Sequence, residues 1–283
     1  MSRSAPIRET IDFIDRPDGH RCRAICEPAA GSMRGVVLLA PPFAEELNKT
    51  RRMCARMARM LAADGWRVVR MDPYGCGDSA GEFRDATWER WVDDLCTEAR
   101  TIDTDASEAW IWCVRAGALF APALLDVLPG ANLLLWQPVL KGATHLQQFL
   151  RLSLAARLFG AGKSPTGEAT PAQRLAIGQT IEVGGYELPP FVANGLRAAV
   201  FQLATSQPAR AIWIDIAMDV SMGVSPATVR ASDELKAAAW QDDVEQLPGA
   251  PFWQTAEVVE NEALLLRSRV LMSAPSGSPL DAG

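Results

Sequence analysis

The stretch Trp110-Ile111-Trp112-Cys113-Val114-Arg115-Ala116-Gly117-Ala118-Leu119-Phe120-Ala121 has the outline of a nucleophile elbow. In such an elbow a buried strand enters a sharp turn, spelled G-x-S-x-G, and leaves at once as a helix, so the central side chain stands above a sheet where it can attack a carbonyl. Here the three marked positions read Cys113, Arg115 and Gly117. A guanidinium stays protonated, offers only hydrogen-bond donors and cannot act as a nucleophile. What it can do is hold a carboxylate or a phosphate.

The partners of a missing nucleophile are also missing. A serine needs a histidine, whose pKa near 6.5 lets it take and return a proton near neutrality. The chain has two histidines, His20 and His145. Neither falls after the last predicted strand, where the sequence reads Gly249-Ala250-Pro251-Phe252 and puts Pro251 in the histidine's place. Asp215 lies inside the predicted seventh sheet strand and Asp219 just after it, the better position for a triad acid. Removing one member of a coupled triad already loses most of the rate, so a Ser-His-Asp mechanism is not expected.

Substitute groups are few. Cys113, two residues before the apex, reads as a small buried side chain sooner than as a thiol nucleophile. Ser79, in the glycine-rich run 72–81, reads as a loop residue bonding its own backbone, with catalysis as the alternative. His145 could swing into a pocket from a helical insertion, or be a solvated or capping residue. After the third strand come Phe43, Glu45, Glu46 and Asn48, converging with Arg115 at the carboxyl ends of the strands, where open α/β sheets gather ligands. A cation at a helix N-terminus is disfavoured by a few tenths to about 1 kcal/mol, so an anion should sit close to Arg115. Two readings follow: Glu45 or Glu46 compensates the charge internally, or Arg115 holds the anion of a ligand with helix N–H groups assisting.

The elements that must position these groups alternate. Strands are expected at 7–14, 21–27, 35–40, 66–71, 109–114, 131–136, 211–217 and 244–247. Helices are expected at 48–64, 87–101, 116–128, 226–240 and 256–269. This rhythm implies an α/β fold with a mostly parallel sheet and right-handed crossovers. It breaks over 141–205, a helix-rich insertion (145–158, 171–178, 190–203) with Gly/Pro-dense joints, where a cap or lid would sit. The core is then 1–140 with 206–272, and 273–283 reads as a frayed tail.

At 283 residues, 48% hydrophobic and 22% charged, the composition is that of a globular chain with room for a sizeable core. A net charge of −6 and the lack of a dense basic run argue against a nucleic-acid partner. The N-terminus has no apolar core of a signal peptide and no run is long enough to span a bilayer, so a cytoplasmic location is expected. Six cysteines without paired spacing fit reduced thiols. Cys22-x3-Cys26 beside His20 has no second ligand pair, so no metal is expected, and no cofactor motif is found.

The succession of elements, with the loop Asp72-Pro73-Tyr74-Gly75-Cys76-Gly77-Asp78-Ser79-Ala80-Gly81, resembles the α/β-hydrolase fold. More narrowly, Pro41-Pro42-Phe43-Ala44-Glu45-Glu46-Leu47-Asn48-Lys49-Thr50-Arg51-Arg52-Met53, the Arg-bearing elbow and the late Pro248-Gly249-Ala250-Pro251-Phe252-Trp253 resemble the exosortase A system-associated hydrolase 2 family. The resemblance spans nearly the whole chain. It implies a protein of bacteria that make exopolysaccharide and sort proteins by a C-terminal anchoring signal. The family's name says hydrolase, but a fold does not establish an activity. The expected function is therefore a catalytically degenerate protein binding a small acidic ligand, or an acyl or sugar compound, or a protein partner of the exopolysaccharide machinery. Two alternatives stand beside it: an ester or thioester hydrolase with a non-standard arrangement, and a scaffold using the insertion helix around Phe149, Leu150, Leu154 and Leu158 as a partner groove.

Overall fold

The computed structural model describes residues 6–102, 108–159, 169–203, 207, 209–255 and 257–274, and the side chains of these except 152–159. The side chains of Leu154 and Leu158, the joint at 160–168 and the tail from 275 onward lie outside the described residues.

The chain opens with a hairpin of β1 (Ile7–Ile14) and β2 (Arg21–Pro28), followed by β3 (Gly35–Ala40), α1 (Glu45–Ala63), β4 (Trp66–Met71), α2 (Trp88–Ala99) and β5 (Glu108–Val114). After β5 come α3 (Ala121–Val127), β6 (Asn132–Trp136), α4 (Gly142–Phe159), α5 (Pro171–Ala176), a hairpin of β7 (Ile181–Val183) and β8 (Tyr186–Leu188), and α6 (Pro190–Ala198). The chain closes with β9 (Arg210–Ala217), α7 (Pro226–Ala237), β10 (Gln241–Pro248) and α8 (Glu262–Ser273). Among the described residues one eight-stranded sheet has the order β1-β2-β4-β3-β5-β6-β9-β10. β2 runs antiparallel to both neighbours and every other pairing from β4 to β10 is parallel. The fold is that of the α/β-hydrolases.

Alternation along each strand divides the core in two. Trp110 and Trp112 of β5, with Trp66 and Trp136, face Met53, Met57 and Leu61 of α1 and Leu264, Leu265 and Leu271 of α8. Ile111 and Cys113, the intervening residues, face the opposite layer with Leu38, Leu133, Leu135 and Trp213. Strands buried on both faces explain the unbroken apolar run of β3, all six residues of which are buried. The indole of Trp136 donates to Ser268 Oγ at 2.8 Å, so one buried polar group of this wall is satisfied by α8.

The insertion is held by close contacts at glycines. A Cβ on Gly195 of α6 would lie 2.2 Å from Trp88 Cβ of α2, and one on Gly142 of α4 1.8 Å from the Leu196 carbonyl oxygen. The hairpin β7–β8 turns at Gly184 and Gly185, both at positive φ (58° and 85°), where the sequence pattern suggested only a joint. It folds back onto the start of α1: the Asn48 amide donates to the Tyr186 hydroxyl at 2.7 Å.

Other elements differ from expectation at their ends. α1 begins three residues before 48, drawing Glu45 and Glu46 into its first turn, where the helix dipole favours carboxylates. The helix expected at 116–128 begins as a 3-10 turn over Arg115–Phe120, tightened against β3. The closing helix begins at 262 rather than 256, where Asn261 caps it by accepting from the Leu264 N–H at 3.0 Å.

Candidate ligand site at the elbow

Arg115 stands at the apex of the β5 turn with φ +54°. Two residues on, a Cβ at Gly117 would fall 2.0 Å from the Ala40 carbonyl oxygen, so the turn packs against the end of β3 and only glycine fits. Backbone strain gathers here. Of the four described non-glycine residues at positive φ, Ala44, Arg115 and Gln137 lie just past the carboxyl ends of β3, β5 and β6. Such conformations cost on the order of 1–3 kcal/mol each and persist where the surroundings over-determine them.

The guanidinium is buried and fully engaged. Its Nε and Nη2 donate to Glu46 Oε1 at 3.2 and 3.1 Å, Nη1 donates to the Gln137 carbonyl at 3.0 Å, and Cζ lies 4.7 Å from the centre of the Trp253 ring. Of the two glutamates it is therefore Glu46 that compensates Arg115, while Glu45 lies 3.6 Å from Lys49. Both donors to Glu46 fall on one oxygen. Its other oxygen, Oε2, is buried with no hydrogen-bond partner among the described residues. Burial pushes the Glu46 carboxyl above its ordinary range, opposed by the charge and hydrogen bonds of Arg115.

His145 comes from the first turn of α4 and is buried rather than solvated, with its ring edge-on to Phe43 at 6.0 Å. Its Nε2 lies 3.8 Å from Glu46 Oε2, too far for a hydrogen bond. Neither ring nitrogen has a partner among the described residues. Burial first, and then the nearby Arg115 charge, push its pKa down to about 3, so the imidazole is neutral.

The remaining candidates lie elsewhere. Cys113 is wholly buried under the turn, and burial drives its thiol far up, away from a thiolate. Ser79 Oγ accepts from the Cys22 N–H at 2.8 Å and donates to the Asp72 carbonyl, tying the glycine-rich loop to β2. Asp219 is exposed and accepts from the Ser221 N–H at 2.9 Å. Asp215 is buried and accepts from the Ser225 N–H and Thr228 Oγ1 at 3.0 and 3.2 Å, which oppose the upward push of burial on its carboxyl. Asn48 is exposed, with its amide bonded to the Tyr186 hydroxyl. Cys22, Asp72 and Asp78 offer ligand atoms within 4.8 Å of one another, but Arg51 already occupies Asp72 with bonds of 3.2–3.3 Å.

Between core and insertion lies an open cavity of about 1300 Å³. Phe43, Glu45, Glu46, Arg115 and His145 line it, and so do Gln137 and Trp253, which sequence reasoning missed. Trp253 follows Pro251 by two residues, so the loop that lacks a histidine supplies an aromatic ring instead; the late Phe252-Trp253 pair was the available signal. Three more lining cations, Lys141 just before α4, Arg151 within it and Arg230 of α7, have no ion-pair partner among the described residues. They too were not picked out, because single basic residues scattered along the chain have no pattern.

Neither the family models nor the curated proteins contain a match to this chain. Solved structures do resemble it. Est1E of Butyrivibrio proteoclasticus, solved with ferulic acid bound, superposes with a TM-score of 0.56 at 14% identity, over 92% of this chain and 97% of that one. An arylesterase superposes with a TM-score of 0.57 at 11% identity, over 93% and 83%. XC6422 of Xanthomonas campestris, an α/β serine hydrolase without a lid, gives 0.51 at 17% identity, over 97% and 100%. These likenesses show the α/β-hydrolase fold. No described helix is long and apolar enough to cross a membrane.

Proposed function

We propose that this protein is a non-hydrolytic binding protein built on the α/β-hydrolase fold, which holds a small acidic ligand in the cavity between its core (1–140 and 206–272) and its helical cap (141–205). The observation that carries this reading is Arg115 at the elbow apex, fixed by Glu46, the Gln137 carbonyl and the Trp253 ring. An engaged guanidinium blocks the position a nucleophile would need, and His145, the cavity's histidine, is too weakly basic to draw a proton from a hydroxyl at neutral pH. Because Arg115 is already neutralised by Glu46, the ligand's anion falls to the unpaired cations of the cavity wall. Segments 41–53 and 248–253 support a place in the bacterial exosortase and exopolysaccharide system, in the cytoplasm.

The test is direct. Wild type, Arg115→Ser and Cys113→Ala are incubated with p-nitrophenyl butyrate, with a serine-directed fluorophosphonate probe and with a thiol-directed acylating probe. No turnover above buffer and no covalent label are expected in any of them. Turnover or labelling of the wild type that disappears in Cys113→Ala would overturn the non-hydrolytic reading in favour of a thiol-based esterase.

A further inference from the structure

The cavity has a set of cationic lining residues and, separately, a pair of unpartnered polar ones. The polar pair is Glu46 and His145, two lining residues whose Oε2 and ring nitrogens are buried with no partner among the described residues. Leaving such atoms unpaired costs roughly 1–3 kcal/mol each. Their separation of 3.8 Å is wrong for a direct bond but suits a third atom bonded to both. Glu46 Oε2 can only accept, and its position is fixed from behind, since Arg115 pins the sister oxygen. A neutral imidazole has one N–H donor and one acceptor nitrogen. A hydroxyl bridges the two groups, donating its proton to Glu46 Oε2 and accepting from the imidazole Nε2–H.

The cationic set is Lys141, Arg151 and Arg230, which suits a carboxylate or phosphate. Phe43, Phe149 and Trp253 add apolar lining to the same cavity. From these placements we infer that the site takes a hydroxylated organic anion, with a ligand hydroxyl bridging Glu46 and His145 while its carboxylate or phosphate meets the Lys141–Arg151–Arg230 set. This rests on the acidic-ligand reading above and adds the hydroxyl as the second recognised group.

Calorimetric titration of the full chain with D-glucuronate, glucose 1-phosphate, hexanoate and glucose separates the two groups. Glucuronate or glucose 1-phosphate should bind at least tenfold tighter than hexanoate or glucose, and whichever of them binds tighter identifies the anion as carboxylate or phosphate. His145→Phe keeps a flat ring and removes the hydrogen bond, so it should weaken the hydroxylated anion about tenfold and leave hexanoate unchanged. His145→Gln, which restores a donor, should recover part of that loss and guards against a folding defect in the phenylalanine variant. Arg230→Ala and Arg151→Ala are exposed changes expected to weaken both anions several-fold at unchanged Tm. If hexanoate binds as tightly as the hydroxylated anions, or if their affinity survives in His145→Phe, hydroxyl recognition is wrong while the acidic-ligand reading stands. If none of the four compounds binds, both are wrong.

Discussion

Arg115 grips Glu46 by a single oxygen, and that asymmetry decides what each residue of the cluster contributes. Burying either charge alone is expensive, and removing one partner of a buried pair typically costs 3–5 kcal/mol because the other is left uncompensated. Arg115→Ala is therefore expected to destabilise the fold by about 3 kcal/mol in urea unfolding, and Arg115→Ala combined with Glu46→Gln by distinctly less. His145 predicts a pH dependence. Its pKa is depressed from 6.5 to about 3 in the folded protein, so the unfolded chain takes up the proton first. The stability this residue contributes is complete above pH 6.5 and is lost as pH falls toward about 3, at up to about 1.4 kcal/mol per pH unit. Glu46 has the opposite sign: its raised carboxyl stabilises the fold below its ordinary 4.5 and loses that as pH rises through the folded value. Comparing stability between pH 7 and 4.5 in wild type and His145→Phe isolates the histidine, and the variant's profile should be the flatter.

Elements position these residues through close backbone approaches. Gly117→Ala would press a methyl onto the Ala40 carbonyl on one side of a turn that is already strained. Neither wall is a flexible side chain, so a loss of several degrees in Tm, or failure to accumulate folded protein, is expected. Gly195→Ala tests the cap in the same way, by forcing α6 off Trp88. It should lower stability and loosen the insertion, read as faster hydrogen exchange in α4 and α6 with β3 and β5 unaffected. The strands of the sheet were legible from the sequence because burial on both faces leaves continuous apolar runs such as 35–40 and 131–136. The elbow was legible from its Gly117 and its strand–turn–helix spacing. The hairpin β7–β8 was not, because three-residue strands are too short for alternation to register and the Gly-Gly pair at 184–185 looks like any joint. The start of α1 was missed because Glu45 and Glu46 were assigned to a loop, when their charge is what suits a first helical turn. The approach of His145 to Glu46 brings together residues 99 positions apart through the packing of the insertion on the core, and no local pattern announces it.

At the scale of the whole molecule, two apolar layers sandwich a sheet whose carboxyl edge carries all the unusual chemistry. Thiols are placed in the layers and loops instead: five of the six cysteines are buried and Cys76 is half-buried, its thiol pushed up to about 12. Native protein is expected to react slowly with Ellman's reagent and to release all six thiols only on unfolding in guanidinium, so a fast-reacting native thiol would contradict this packing. The solved structures it superposes on share the α/β-hydrolase fold, and the residues that set this site apart from a serine-bearing elbow are a handful of side chains. That concentration bears on reversibility. Exchanging Arg115 for serine sacrifices a ring contact and three hydrogen bonds, and it strands Glu46, before any histidine is available to draw a proton. Under the proposed non-hydrolytic function, a first step from this site toward a hydrolase therefore costs stability before it can gain rate.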